Sequence, residues 1–508
     1  MTNRMQFVCF FLALHSVYSR STTDACCTRG IAKNDYWTKR EQIIAAEEAQ
    51  QIGSAIQLND DELKANEILM GLKLAELDAS FQDPGKYLPA IHFFESRDAI
   101  SRNEIFAFLR EMPKGGLLHT HDTATTNWDF LYAQTFKDNL YFCNDTMPRL
   151  RFFSKPDDSC KWELLNDMRR EGGEEFEKYL VGHLTLIREN YNEEFSDINK
   201  VWSTFQNIFI FVTDMLIYKP VFEEQFYATL EQLYNDNVTY LEMRGTLPPV
   251  YNLEGYVYTP EEIVQIYVDV AASFKATHPE FIGVKLVYAP LRLVDNKTFE
   301  EYLDIARSIK TKFPDFVTGF DLVGQEDLGR PLVDYTELIQ SLDMDFYFHA
   351  GETNWNQGLT DQNIIDAILL DTKRIGHGYA LIKHPEMMKV VKDKQIAIEV
   401  SPISNQVLGL VRDLRNHPGS IYMSTDMPMV ITNDDPTYWG AEGVSYDWYM
   451  AFMGLSSRTA DLKLLKQLAI NSLKFSSMND QEKTAAMTKW ETQWNKFITK
   501  YILEHKKY

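Results

Sequence analysis

Basic residues are in short supply in this chain. Among 508 residues, Lys and Arg number 51 against 73 Asp and Glu, a formal net charge of −22. That balance excludes nucleic acid and anionic membrane surfaces as partners, because both demand a basic face. Cysteine is scarce too, with five in all: Cys9, Cys26, Cys27, Cys143 and Cys160. So few exclude a disulfide-dense scaffold. No glycine-rich phosphate loop follows any strand-like segment, which argues against a nucleotide cofactor. Repeats and low-complexity tracts are absent, so a solenoid is excluded. Past the N-terminus, no apolar run reaches the ~20 residues of a membrane span. What remains is ordinary globular composition, 45% hydrophobic and 24% charged, long enough to bury a metal site without help from disulfides.

The opening residues, MTNRMQFVCFFLALHSVYSRS, place Arg4 ahead of a short apolar run, Phe7 to Leu14. Val17 and Ser19 suit the positions before a cleavage site, so residues 1–19 read as a removable signal peptide of a secreted, extracellular protein. The competing reading is an apolar first helix of a cytosolic protein. In an oxidising compartment, Cys143 and Cys160, close in one polar segment, form a reasonable disulfide; two unrelated thiols are the alternative. Cys26 and Cys27 are adjacent, and their partners stay open, including a bond between chains. Asn-x-Thr acceptors for glycosylation occur at Asn144, Asn237 and Asn296.

Residues 34 to about 110 carry helical patterning. A capped start at Leu58 to Glu62 precedes Leu63, Met70, Leu74 and Leu77, and Asp83-Pro84-Gly85 breaks the helix. Such an arm could pack on its own domain or on a second subunit. From Gly115 onward eight strands are expected: Gly116–His121, Val238–Gly245, Ile282–Ala289, Val317–Gly324, Phe346–Glu352, Arg374–Gly378, Ile396–Pro402 and Met429–Asp434. Most are short apolar runs of the kind buried in parallel sheets. The gaps between them hold amphipathic stretches such as Pro260–Thr277 and Lys297–Lys312. Alternation of this kind predicts an α/β fold, a (β/α)8 TIM-type barrel. The gap from Asp122 to Asn237 exceeds one crossover. A small inserted domain at about 125–185, holding the cysteine pair, therefore follows the first strand. The tail from Thr459 reads as two helices.

Four strand-end segments concentrate the chemistry: GGLLHTHD (Gly115–Asp122), FYFHAGE (Phe346–Glu352), RIGHG (Arg374–Gly378) and MVITNDDP (Met429–Pro436). Residues two apart on a strand share a face, so His119 and His121 point the same way. His349 ends another strand, with Glu352 three residues on. A carboxyl shielded from water there has a raised pKa and can shuttle a proton at neutral pH. His377 lies between two glycines. Asp434 and Asp435, on opposite faces, let one carboxylate reach a metal while the other meets substrate. Each motif alone has a plain reading: satisfied buried histidines, a solvated Glu352, a turn-capping Asp-Asp pair. Together, three histidines and an aspartate suit one Zn²⁺ per chain with a position left for water.

The ordered set MPKGGLLHTHD, GFDLVGQED, FYFHAGE, RIGHG, SPISNQVL and NDDP resembles the adenosine deaminase superfamily. More narrowly it resembles the secreted adenosine deaminase-related growth factors, from about residue 30 to 500. The resemblance implies zinc on His119, His121, His349 and Asp434. It implies protonation of purine N1 by Glu352 and orientation of the attacking hydroxide by His377. Asp435 would contact N7, and the Gly324 backbone N3. Asp122 and Trp202 match ribose-side positions. Leu291 stands where a related secreted deaminase has histidine, so one ribose contact is expected to be lost. Also implied are a homodimer through residues 20–110 as an N-terminal helical dimerisation arm, a barrel over 111–508, and growth effects through removal of extracellular adenosine. The expected substrate is adenosine, with 2′-deoxyadenosine beside it. Two other readings compete. One is an AMP or other purine deaminase, which for AMP needs cationic phosphate contacts not seen beside the motifs. The other is a non-catalytic growth factor whose partner is a cell-surface receptor or glycan.

Overall fold

The computed structural model describes residues 33–505. The expected signal peptide, Cys26 and Cys27 lie outside the described residues. The described residues divide into two units, Lys33–Glu48 and residues 49–505. In the first, residues Lys33–Glu48 form one helix, exposed from residue 35 onward.

In the second unit, short parallel strands build a curled sheet. They are β1 (Gly115–Leu117), β5 (Val238–Gly245), β6 (Gly283–Tyr288), β7 (Val317–Phe320), β8 (Asp345–Phe346), β9 (His349–Ala350), β10 (Arg374–His377), β11 (Ala397–Val400) and β12 (Met429–Ile431). Five pair in the order β1-β5-β6-β7-β8 and four in the order β12-β11-β10-β9. Strands β8 and β9 are consecutive pieces of residues 345–350. A parallel bridge between Thr120 and Asp434 brings the outermost strands, β1 and β12, together at their C-terminal ends. β5, β7, β10, β11 and β12 are buried along their whole length. That burial is why their sequences do not alternate. Connecting helices start where caps dictate. Thr259 and Glu262 form a capping box ahead of Pro260–Thr277, and Asp295 caps Asn296–Lys312.

Several strands stop short of their expected ends. Regular pairing ceases at Leu117, Phe320, Ala350, His377, Val400 and Ile431. At four of these ends, those at Phe320, Ala350, His377 and Ile431, the backbone turns left-handed at or just beyond the strand, at Gly324, Gly351, His377 and Asp434 (φ 108°, 74°, 59° and 61°). A ladder cannot continue through that conformation. The chemical residues therefore lie on the frayed upper rim of the barrel.

After β1 comes an antiparallel sheet of β2 (Leu140–Cys143), β3 (Arg149–Phe152) and β4 (Trp162–Leu164), in the order β3-β2-β4, followed by the helix Leu165–Gly182. A Cys143–Cys160 disulfide ties β2 to the start of β4. On the helix Asp60–Gln82, capped by Asn59 and Glu62, the buried line is Glu62, Ala65, Leu69 and Lys73, while Leu63 is exposed. Polar partners make that possible. Glu62 accepts from Lys466 and from Trp494 Nε1; Lys73 donates to Ser456 and to the Ser457 and Ala460 carbonyls. The tail forms the helices Leu462–Lys474 and Asp480–His505. No described helix is long and apolar enough to cross a membrane.

Candidate metal and proton-transfer site

The rim residues converge. Ligand atoms of His119, His349, His377 and Asp434 lie within 4.8 Å of one another, as do those of His121, Asp434 and Asp435. The Nε2 atoms of His119 and His121 approach the same Asp434 Oδ1 at 3.1 and 3.0 Å. Neighbouring ligands of a tetrahedral ion with bonds near 2.0 Å stand about 3.3 Å apart. The spacing thus fits ligands of one small cation. Asp434 is placed by its left-handed φ and by Ser404, which donates to Oδ2 at 2.6 Å. A non-glycine residue persists in that conformation where its surroundings over-determine it, a pattern common at functional sites.

Behind the histidines sits a fully buried charge network. His349 Nδ1 donates to Asp321 at 2.6 Å, and His119 Nδ1 to Glu399 at 2.9 Å. Each ring therefore turns a bare Nε2 toward the centre. Arg244 pairs with both Asp321 and Glu399, and Arg374 with Glu399 and Glu242. Two guanidinium groups thus pair with Glu242, Asp321 and Glu399, and Asp434 across the histidines brings the carboxylates to four, an excess of two negative charges that a dication would offset. Burial alone would raise Asp321, but His349 and Arg244 hold its carboxyl far below the usual range. Burial likewise opposes, and Arg244 and Arg374 overcome it, at Glu399. At Asp434 burial again opposes ionisation, and the adjacent His119 and His121 rings outweigh it, so the carboxyl lies well below its ordinary range. Burial lowers the His349 imidazole to about 3 despite Asp321, and holds His377 well below its ordinary value.

The neighbouring carboxyls behave oppositely. Burial, then Asp434 and Glu326, push Glu352 well above the usual carboxylate range. Burial and Asp434 do the same at Asp435. Glu352 Oε1, His377 Nε2 and Asp435 Oδ1 are buried with no partner inside the protein. Three orphaned polar atoms around one point are costly unless a ligand satisfies them. Glu326 accepts from the backbone N–H groups of Gly351 (2.9 Å) and Glu352 (2.5 Å), fixing the loop that carries Glu352. Arg292 donates to the His349 carbonyl at 3.0 Å.

The remaining site expectations fall nearby, in different settings. Asp122 is buried and accepts from Tyr267 at 2.5 Å. Trp202 is buried on the helix Ile198–Leu216, its ring 5.5 Å from that of Phe205, which in turn neighbours Tyr438 just past Asp435. Gly324 has its positive φ two residues before Glu326. Leu291 is exposed on the rim and bridges to Val323. Asn144 and Asn296 are exposed, whereas the Asn237 side-chain nitrogen donates to the Arg110 carbonyl at 2.8 Å. Sequence reasoning missed the supporting shell: Arg244, Asp321, Arg374, Glu399, Ser404 and Asn405. A signal was present, since charges set inside apolar strand runs (VTYLEMRG, AIEV) are buried charges needing partners.

Comparison with known proteins agrees with this geometry. Residues 186–492 match the family model described as adenosine deaminase, and residues 10–109 match adenosine/AMP deaminase N-terminal. The chain is 46% identical over 473 residues to "Adenosine deaminase" of Lutzomyia longipalpis, covering 91% of this chain and 93% of that protein. It is 41% identical over 473 residues to "Adenosine deaminase 2" of Homo sapiens, covering 90% and 92%. Among solved structures, an Arabidopsis N6-mAMP deaminase superposes with a TM-score of 0.56 at 16% identity, covering 76% of this chain and 99% of that one. The adenine deaminase of Arthrobacter aurescens gives 0.54 at 20% identity, covering 76% and 99%. Those two establish the barrel fold only. The sequence matches go further: the chain is an enzyme of the adenosine deaminase family.

Proposed function

We propose that this chain is a secreted, zinc-dependent deaminase that converts adenosine, and 2′-deoxyadenosine, with water to the inosine product and ammonia. One observation carries the reading: His119, His349, His377 and Asp434 converge, with His121 reaching the same Asp434 oxygen, beside a buried carboxyl, Glu352, whose Oε1 has no partner within the protein. His119, His121, His349 and Asp434 would hold the ion. When bound, it supplies Lewis acidity that makes water nucleophilic near neutral pH. Glu352, kept protonated by burial, donates to purine N1 and makes C6 electrophilic. His377 faces the attacking water through its free Nε2. The orphaned Asp435 oxygen meets N7, and the Gly324 N–H meets N3. Asp122 and Trp202 border the ribose side, and Leu291 leaves one contact there unmade.

Secretion is supported by the leader-like residues 1–19 and by the Cys143–Cys160 bond, which suits an oxidising compartment. Exposed Asn144 and Asn296 are the glycosylation acceptors of this reading. Residues 20–110 would form a dimerisation arm ahead of a barrel domain, with 125–185 as its insert. Growth effects would follow from depletion of extracellular adenosine. The test is an ultraviolet assay on secreted protein with adenosine, 2′-deoxyadenosine, AMP and adenine. Adenosine and its deoxy form should react, and Glu352→Ala should abolish turnover. Preference for AMP or adenine would refute the substrate assignment, and equal activity of Glu352→Ala would refute the proton donor.

A further inference from the structure

Behind His377 runs a line of buried polar groups that take no part in the chemistry above. It starts at a backbone amide. Gly419 N–H donates to His417 Nδ1 at 2.9 Å. Residue 419 sits so close that a Cβ there would lie 2.9 Å from that same nitrogen. A backbone N–H can only donate, so His417 Nδ1 is bare and the ring carries its proton on Nε2. Nε2 lies 2.9 Å from Asn405 Oδ1 and donates to it. The amide is thereby oriented with Nδ2 toward His377 Nδ1, at 3.2 Å. An amide nitrogen donates, so His377 Nδ1 is bare in turn. The His377 proton must sit on Nε2. That atom has no partner in the protein and lies 3.7 Å from Glu352 Oε1 and 4.0 Å from Asp434 Oδ2.

Each link leaves one choice, and the choices propagate from a fixed amide to the reacting centre. We propose that Asn405 and His417 are positioning residues that lock neutral His377 as its Nε2–H tautomer, so that it offers the attacking water a hydrogen-bond donor and never a base. The catalytic half of this statement rests on the deaminase reading; the tautomer itself does not. His417, Asn405 and His377 are all buried, so bulk water cannot supply a competing partner that would release the tautomer. A donor aimed where negative charge develops stabilises the transition state, and removing one costs roughly 10²–10³-fold in kcat.

The experiment is long-range ¹H–¹⁵N correlation on zinc-loaded protein labelled at histidine, with the His377 signals assigned by their loss in His377→Gln. Wild type should show His377 with Nε2 protonated and Nδ1 bare. Asn405→Asp keeps the side-chain shape but places oxygens that only accept opposite both rings. His377 Nδ1 should then take up a proton, and kcat for adenosine should fall about 10²-fold with KM little changed. A wild-type His377 with its proton on Nδ1 overturns the proposal, as does Asn405→Asp with Nδ1 still bare or with unchanged kcat. The wild-type spectrum decides the matter even where the variant does not fold. Because it needs no turnover, failure to deaminate adenosine would count against the functional reading and leave the tautomer result standing.

Discussion

Asp321→Asn removes one full negative charge from behind the metal site and should damage it twice over. The wild-type carboxylate accepts four hydrogen bonds. Oδ2 takes His349 Nδ1 at 2.6 Å and Arg244 Nε at 2.8 Å. Oδ1 takes the backbone N–H groups of His349 and Leu322, each at 2.7 Å. Asparagine must turn its NH₂ toward one of these pairs. Facing the backbone pair, it meets two N–H groups that cannot accept. Facing the other pair, it opposes Arg244 and forces the His349 proton onto Nε2, the atom turned to the cation. Two charge-assisted bonds are lost either way, at about 1.5–3 kcal/mol each, so destabilisation of about 3–6 kcal/mol is expected. Loss of an outer-shell carboxylate on a ligating histidine lowers metal affinity by roughly 10–100-fold. The assay is zinc retention during equilibrium dialysis against a graded chelator, with thermal unfolding in parallel. Wild-type zinc retention by Asp321→Asn would refute the claim that this carboxylate sets the His349 tautomer.

Three further outcomes are expected. His119→Ala should lose zinc and turnover together, whereas Glu352→Gln should lose turnover and keep zinc; metal analysis of both purified variants separates ligand from proton donor. Burial lowers Lys73 to about 7, so between that pH and its ordinary pKa the folded chain gives up the proton, and with it one of the three hydrogen bonds Lys73 donates, while the unfolded chain keeps it. Stability therefore rises with pH across this window. The melting temperature of wild type relative to Lys73→Met should climb from pH 7 to pH 9, and a pH-independent difference would contradict the assignment. Opening the Cys143–Cys160 loop, a separation of 17 residues, with Cys143→Ser and Cys160→Ser should cost roughly 3 kcal/mol. Faster limited proteolysis within residues 125–185 should report it, with zinc content unchanged.

The ligand-bearing segments were legible because parallel strands in a barrel deliver their C-terminal ends to one rim, and four such ends carried histidine or aspartate. Strand β5 was legible to the residue, since its eight buried positions form an unbroken run. The frayed strand ends were not, because left-handed turns at His377 and Asp434 are imposed by tertiary packing and not by local propensity. Nor was the buried line of the helix Asp60–Gln82: apolar spacing pointed to Leu63 and Met70, while partners hundreds of residues away made Glu62 and Lys73 the buried ones. His417 lies in no motif, and Asn405, though within SPISNQVL, has no chemistry that the sequence alone assigns. Their role emerges only when the fold sets them in one chain of hydrogen bonds.

Anomalous diffraction at the zinc edge, on crystals of the purified protein, tests the central claim most directly. One peak per chain is expected, about 2.0–2.2 Å from His119, His121 and His349 nitrogens and an Asp434 oxygen. A peak elsewhere, or none in a preparation that still deaminates adenosine, would contradict the account.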